Sequence, residues 1–166
     1  FVREGATDSR VVADPVECLE FAVRSVLAQN PTAEIQCRRS YAPALPPARL
    51  SPAHLRQVLL NLVINALQAI GDRGELHLGL TTSGDGRFLL AAIGDTGPGI
   101  APEDQDRIFE PGFTTKPEGH GTGLGLAVSR NLVRENGGDL TVSSRPGDGA
   151  TFVVTLPVAA PEGSAR

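Results

Sequence analysis

Methionine and tryptophan are missing from this 166-residue chain, tyrosine occurs once, and aromatic side chains make up only 4% of it. A core must then come from Leu, Val, Ile and Ala, and a hydrophobic share of 40% supplies it. No apolar run approaches the ~20 residues that cross a bilayer, so neither a transmembrane helix nor direct membrane contact is expected. A signal-peptide pattern is also lacking, and the cytoplasm is the expected compartment. Cys18 and Cys37 fit no metal or redox spacing, which leaves two reduced thiols as the expectation. Lys and Arg (15) are outnumbered by Asp and Glu (19), and the net charge of −4 removes the electrostatic basis for non-specific nucleic-acid binding. Neither a Walker A motif nor a G-x-G-x-x-G fingerprint occurs. With no Met at its start, the opening Phe1-Val2-Arg3-Glu4-Gly5 reads as part of a longer protein.

Glycine (19) and proline (13) are in excess, and their placement divides the chain. Asp14-Pro15 predicts a helix with Val16, Leu19, Val23, Val26 and Leu27 on its apolar face, ended by Asn30-Pro31. A strand follows at 34–39. Ser51 and Pro52 are an N-cap and first helical position for a second helix, with Leu55, Val58, Leu59, Leu62, Ala66, Leu67 and Ile70 in period and Gly71 as its stop. Strands are expected at 76–82 and 87–94, joined by a Ser83-Gly84-Asp85-Gly86 turn. The apolar run Phe88 to Ile93 lacks alternation and predicts a strand covered on both faces. Residues 95–121 are aperiodic, and so long a loop in a compact domain is functional or disordered. A third helix at 122–135 and strands at 140–143 and 151–156 close the domain, leaving a frayed tail after 158.

Four features carry chemistry. His54, Gln57, Asn61, Asn65, Gln68 and Asp72 fall three or four apart on the second helix. Alone they fit a solvent-facing stripe as well as side-chain carbonyls holding Mg²⁺. Asp95-Thr96-Gly97-Pro98-Gly99-Ile100 ends a strand with a carboxylate that could accept from an exocyclic amine such as adenine N6. By itself the same run is simply an Asx-type turn. Gly119-His120-Gly121-Thr122-Gly123-Leu124-Gly125-Leu126 opens a helix with four alternate glycines, and its backbone N–H groups favour an anion such as phosphate. Between these, Phe109 and Phe113 either pin a loop to the core or anchor a lid over 101–121, from which Lys116 can reach a phosphate.

In order and wording these segments resemble the ATP-binding catalytic domain of bacterial sensor histidine kinases, whose superfamily includes the ATPase domains of DNA gyrase, heat-shock chaperones and mismatch-repair proteins. Gln57–Ala66 is similar to the N box, Asp95–Ile100 to the first glycine box, Ile108–Lys116 to the F box and lid, and Gly119–Leu126 to the second glycine box. The wording around Phe109 resembles most the nitrogen-regulation and dicarboxylate-sensing branch. The resemblance is strong over 51–157 and rests on element order before that.

The fold this implies is an α/β (α+β) two-layer sandwich, a mixed β-sheet covered on one face by about three helices, with a long ATP lid. Residues 1–13 would be the remnant of a linker, 14–158 the kinase domain and 159–166 a flexible tail. The resemblance implies ATP and Mg²⁺ as cofactors, with Asn65 on the metal and Asn61 beside it near the phosphates. Asp95 would read adenine, with Gly97, Gly99 and Ile100 closing on the base. Phe109, Thr115 and Lys116 would belong to the lid, and Gly119, Gly121, Thr122, Gly123, Leu124, Gly125 and Leu126 would surround the phosphates. Departures are Gly112 for a bulky aromatic, which implies a looser lid, Gln68 for Lys, and Ala150 for a hydroxyl.

Where superfamily ATPases resemble one another in a Glu that serves as general base, this chain has Asn61, so phosphoryl transfer rather than hydrolysis is implied. None of His54, His77 and His120 stands in the family's acceptor pattern. The implied partners are therefore a separate histidine-bearing dimerisation domain of the same parent and a response regulator receiver domain, with this fragment itself monomeric. An anti-sigma-type serine kinase and a non-catalytic nucleotide-binding module are the alternatives.

Overall fold

In the computed structural model, which describes residues 11–114 and 125–159, both long helices begin at side-chain caps. The Asp14 carboxylate accepts from the N–H groups of Val16 (2.9 Å) and Glu17 (3.2 Å) at the head of α1, Pro15–Ala28. Ser51 Oγ accepts from His54 N–H (3.1 Å) at the head of α2, Pro52–Ile70. Gly71 at φ +78 stops α2, a conformation that costs only glycine nothing. α3 is described over Gly125–Glu135; its expected first residues, 122–124, lie outside the described residues.

The strands are β1 (Glu34–Tyr41), β2 (Arg73–Thr82), β3 (Phe88–Asp95), β4 (Asp139–Ser144) and β5 (Ala150–Pro157), in the order β1-β2-β3-β5-β4. β1 runs parallel to β2, and the other neighbours are antiparallel, so the sheet is mixed. β2 starts three residues before the expected position because Arg73 pairs with Glu34, a contact set by tertiary register and not by local pattern. β1 likewise extends to Tyr41, paired with Leu80.

All three helices pack on one face. Leu76, Leu78 and Leu80 of β2, Leu89, Ala91 and Ile93 of β3 and Phe152, Val154 and Leu156 of β5 are buried there against Leu55, Val58, Leu59, Leu62 and Val63 of α2 and Leu19 and Val23 of α1. The intervening residues His77 and Thr81 are exposed, and Leu90, Ala92, Val153 and Thr155 are half-buried. This corrects the expectation that β3 is covered on both faces. Leu90 and Ala92 are shielded sideways by their cross-strand neighbours Thr155 and Val153, and a small residue such as Ala92 needs little more. The outcome is the two-layer arrangement with one open face. Among the described residues no helix is long and apolar enough to cross a membrane, and both cysteines are free.

Candidate nucleotide-binding site

Asp95 is the last residue of β3, and only 7% of it is exposed. Its Oδ1 accepts from Gly97 N–H (2.9 Å), so the Asx-type turn that the sequence allows is formed. Burial pushes the carboxyl pKa up, against the opposing pull of backbone hydrogen bonds from Gly97 and Ala150. Among the described residues Asp95 has no cationic partner. A buried carboxylate held without a counter-ion still has acceptor capacity for a ligand donor.

The loop after Asp95 is clamped from several sides. Thr96 Oγ1 accepts from Glu75 N–H (3.0 Å), Pro98 O accepts from Gly147 N–H (2.7 Å), and Ile100 N–H donates to Ser144 Oγ (2.8 Å). Ser144 Oγ in turn donates a hydrogen bond to Gly149 O (2.7 Å), and Gln105 Nε2 donates to both Ile100 O (3.1 Å) and Ser144 O (3.0 Å). The two loop glycines are needed for contacts within the protein itself. A Cβ on Gly97 would stand 2.7 Å from Ala69 O, and one on Gly99, at φ +78, would stand 2.2 Å from Arg145 O. Neither approach leaves room for alanine. Ser144 and Gln105 carry no local sequence signal of this role.

On α2 the polar row divides. His54, Gln57, Gln68 and Asp72 are exposed, while Asn61 and Asn65 in its middle are half-buried. Asn61 Nδ2 donates to Ser129 Oγ (3.0 Å) and to Gly125 O (3.5 Å), joining the N-box helix to the first turn and a half of α3. The stripe is thus a helix–helix seam at its centre. Gly125 itself has room for a Cβ, whose nearest neighbour would be the Asn61 side chain at 3.7 Å. Leu126 packs on the core.

Within 101–121, the segment expected to be an aperiodic lid, the described part makes two 3₁₀ turns, Pro102–Asp104 and Arg107–Phe109. Ile108 is the buried anchor, at 9% exposure, whereas Phe109 and Phe113, the aromatics expected to anchor this segment, are only half-buried. Phe109 meets Phe152 edge to face at 6.4 Å, and its ring is also covered by the Arg130 guanidinium at 4.2 Å. Arg107 covers Phe113 at 4.6 Å. Gly112 sits at φ +82, so the backbone of this turn asks for glycine where a bulky aromatic would be strained. Thr115, Lys116, Gly119, Gly121, Thr122, Gly123 and Leu124 lie outside the described residues.

Comparison with known proteins agrees with this geometry. Residues 51–160 match the family model for histidine kinase-, DNA gyrase B- and HSP90-like ATPases. The chain is 47% identical over 125 residues to the sensor histidine kinase ZraS of Escherichia coli K12, covering 75% of this chain and 26% of that protein. It is 41% identical over 145 residues to the histidine-protein kinase AtoS of the same organism, covering 84% and 23%. It is 44% identical over 130 residues to the sensory histidine kinase/phosphatase NtrB of Salmonella typhimurium, covering 72% and 36%. The chain thus spans about a quarter to a third of the length of these relatives. Among solved structures, the catalytic domain of histidine kinase ThkA superposes with a TM-score of 0.76 at 27% identity, covering 90% of this chain and 97% of that one. Full-length ShkA in complex with AMPPNP superposes at 0.78 with 30% identity, covering 90% and 32%. The chain belongs to the histidine kinase-, DNA gyrase B- and HSP90-like ATPase family, and within it to the catalytic domains of sensor histidine kinases.

Proposed function

We propose that this domain binds ATP with Mg²⁺ and directs the γ-phosphoryl group to a histidine on a separate dimerisation domain of the same parent, for onward passage to a response regulator receiver domain. The observation that carries this reading is Asp95, a carboxylate buried at a strand end beside a loop clamped at Thr96, Pro98 and Ile100, with acceptor capacity that no cation of the described chain uses. An exocyclic amine matches it, and the carbonyl that guanine presents there does not. The structure of ShkA with AMPPNP supports an adenine nucleotide as the ligand.

The donor set also suits the metal. Among the described residues there is no cluster of three His, Cys, Asp or Glu side chains, so a divalent ion would share one or two amide oxygens with phosphate oxygens. Mg²⁺ in nucleotide sites takes few protein oxygens beside phosphates and waters, and here Asn65, with Asn61 beside it, would supply amide oxygens of the hard kind it accepts. Bound Mg·ATP supplies a transferable phosphoryl group whose charge the ion neutralises. Asp95 orients the base, Gly97, Gly99 and Ile100 keep the loop in place under it, and Phe109 holds the lid's base. Thr115 and Lys116, with Gly119, Gly121, Thr122, Gly123, Leu124, Gly125 and Leu126, are assigned to the phosphates. No side chain near Asn61 acts as a general base in this reading. A neutral imidazole acceptor brings its own lone pair and needs none, whereas water would.

Residues 14–158 would be the catalytic unit, 1–13 the linker from the dimerisation domain and 159–166 a tail. The test is transfer from labelled ATP. Alone, the chain should take up no label at a family-type site. Mixed with the parent's histidine domain it should label that domain slowly, since the tether is gone, giving a product lost in acid and kept in base. Acid-stable label on a partner's serine would replace the reading with an anti-sigma-type kinase. ATP binding without transfer to any acceptor would replace it with a non-catalytic module.

A further inference from the structure

Among the described residues only two polar side chains are buried, Asp95 and Ser129. The first has its place in the proposed site. Ser129 is on α3 and is 1% exposed. Its Oγ receives the Asn61 amide at 3.0 Å, and the same Nδ2 lies 3.5 Å from Gly125 O, the carbonyl one helical turn before Ser129.

This pairing fixes which way the Asn61 amide is turned. A backbone carbonyl only accepts, so the amide nitrogen and not the oxygen must face Gly125. Turning the amide over would set two carbonyl oxygens against each other and would leave Ser129 Oγ, buried, to find its partner in an oxygen instead. The nitrogen is thereby committed to α3, and Oδ1 keeps its lone pairs for the side away from α3. A hard cation or its bound water takes an oxygen, never an amide nitrogen. We propose that Ser129 is a positioning residue: its hydroxyl, together with Gly125 O, locks the Asn61 amide so that Oδ1 is presented to the Mg²⁺–phosphate end of the site. The assignment rests on the functional reading above and deepens it, because the same bond also couples N-box geometry to the helix that follows the second glycine box.

Calorimetry on the whole chain tests it, with ATP titrated in the presence and absence of Mg²⁺. Ser129→Ala should weaken Mg·ATP binding about five- to tenfold, the scale of one neutral hydrogen bond, and leave Mg²⁺-free ATP binding unchanged. In an Asn61→Ala background the same Ser129→Ala change should have no further effect on Mg·ATP affinity, because the residue through which it acts is gone. The Asn61 side-chain amide resonances should shift in Ser129→Ala. A Ser129→Ala chain that melts lower yet binds Mg·ATP as the wild type does would overturn the proposal. So would an equal loss with and without Mg²⁺, or an equal loss in both backgrounds. A wild type that fails to bind Mg·ATP sinks the functional reading itself, whereas a wild type that binds beside an indifferent Ser129→Ala sinks only this inference.

Discussion

The guanidinium of Arg130 lies over the ring of Phe109 with 4.2 Å between its carbon and the ring centroid, while its Nε stands 3.5 Å from Asp139 Oδ1. Phe109 ends the second 3₁₀ turn and Arg130 lies on α3, so this stack joins the two described segments on either side of 115–124. Arg134 closes the group by donating to the same carboxylate at 2.9 Å, and Asp139 titrates below the usual carboxylate range as a result. Arg130→Ala should cost about 1–2 kcal/mol from the lost stack and the packing of the arginine stem. Amide exchange over 105–113 should quicken in that variant. Arg130→Lys should recover part of the stability, since an ammonium keeps the charge but loses the planar stack. Unchanged exchange in Arg130→Ala would show that Ile108 and Phe152 hold this segment without it.

Asp95 sets binding against stability. Its pKa is raised by burial, so the folded state takes up a proton more readily than the unfolded chain. The stability linked to that proton is fully present below the unfolded carboxylate value, about 3.9, and is lost as pH rises through the higher folded value. Asp95→Asn retains the acceptor for Gly97 N–H and removes the ionisation. Its stability relative to wild type should therefore rise with pH across the carboxylate range, as denaturation followed between pH 3 and 7 would show. Adenine-nucleotide affinity should meanwhile fall roughly ten- to a hundredfold, the effect of losing a charge-assisted bond of about 1.5–3 kcal/mol. Equal affinity of the wild type for ATP and GTP would contradict the assigned role.

Ser144 joins two loops with one hydroxyl, accepting from Ile100 N–H at 2.8 Å and donating to Gly149 O at 2.7 Å. Ser144→Ala leaves both backbone groups short of a partner in a half-buried place. A loss of about 1–3 kcal/mol is expected, with weaker ATP binding and faster exchange of the Ile100 amide. Gly97→Ala should be worse, since the added carbon has the Ala69 backbone at 2.7–2.9 Å and no flexible side chain to displace. If the two variants bind ATP as the wild type does, the loop's clamps serve the fold alone.

What the sequence made legible was local. Ser51 with Pro52, and Asp14 with Pro15, announced helix starts because capping is a matter of neighbouring atoms, and both caps formed. The candidate site was legible where wording is distinctive, at Asp95 to Ile100 and along α2. What escaped depends on chain segments meeting from afar. Arg73 enters β2 because Glu34 pairs with it, Ser144 serves Ile100 from 44 residues away, and Ser129 reaches Asn61 across 68. A serine offers no periodic or compositional signal of such a partnership. The unalternating run of β3 misled for the opposite reason, since apolar identity at Leu90 and Ala92 does not require that a second layer cover them.

Asn61→Glu asks whether the choice between transfer and hydrolysis lies in one residue. A glutamate there would provide the base that water needs, so some ATP hydrolysis should appear against a wild type with essentially none. The surroundings work against it. Asn61 now donates to Gly125 O and Ser129 Oγ, and a carboxylate has no proton to give the carbonyl, so repulsion replaces one bond and only the serine can turn to donate. The variant should therefore melt lower by several degrees, about 1–2 kcal/mol for a domain of this size. Its hydrolysis should be slow, because the new carboxylate is pushed from where the amide is held. Following phosphate release and thermal unfolding in the same preparation checks both halves. Hydrolysis at a rate typical of efficient ATPases, with no loss of stability, would mean that Gly125 and Ser129 do not constrain position 61 at all.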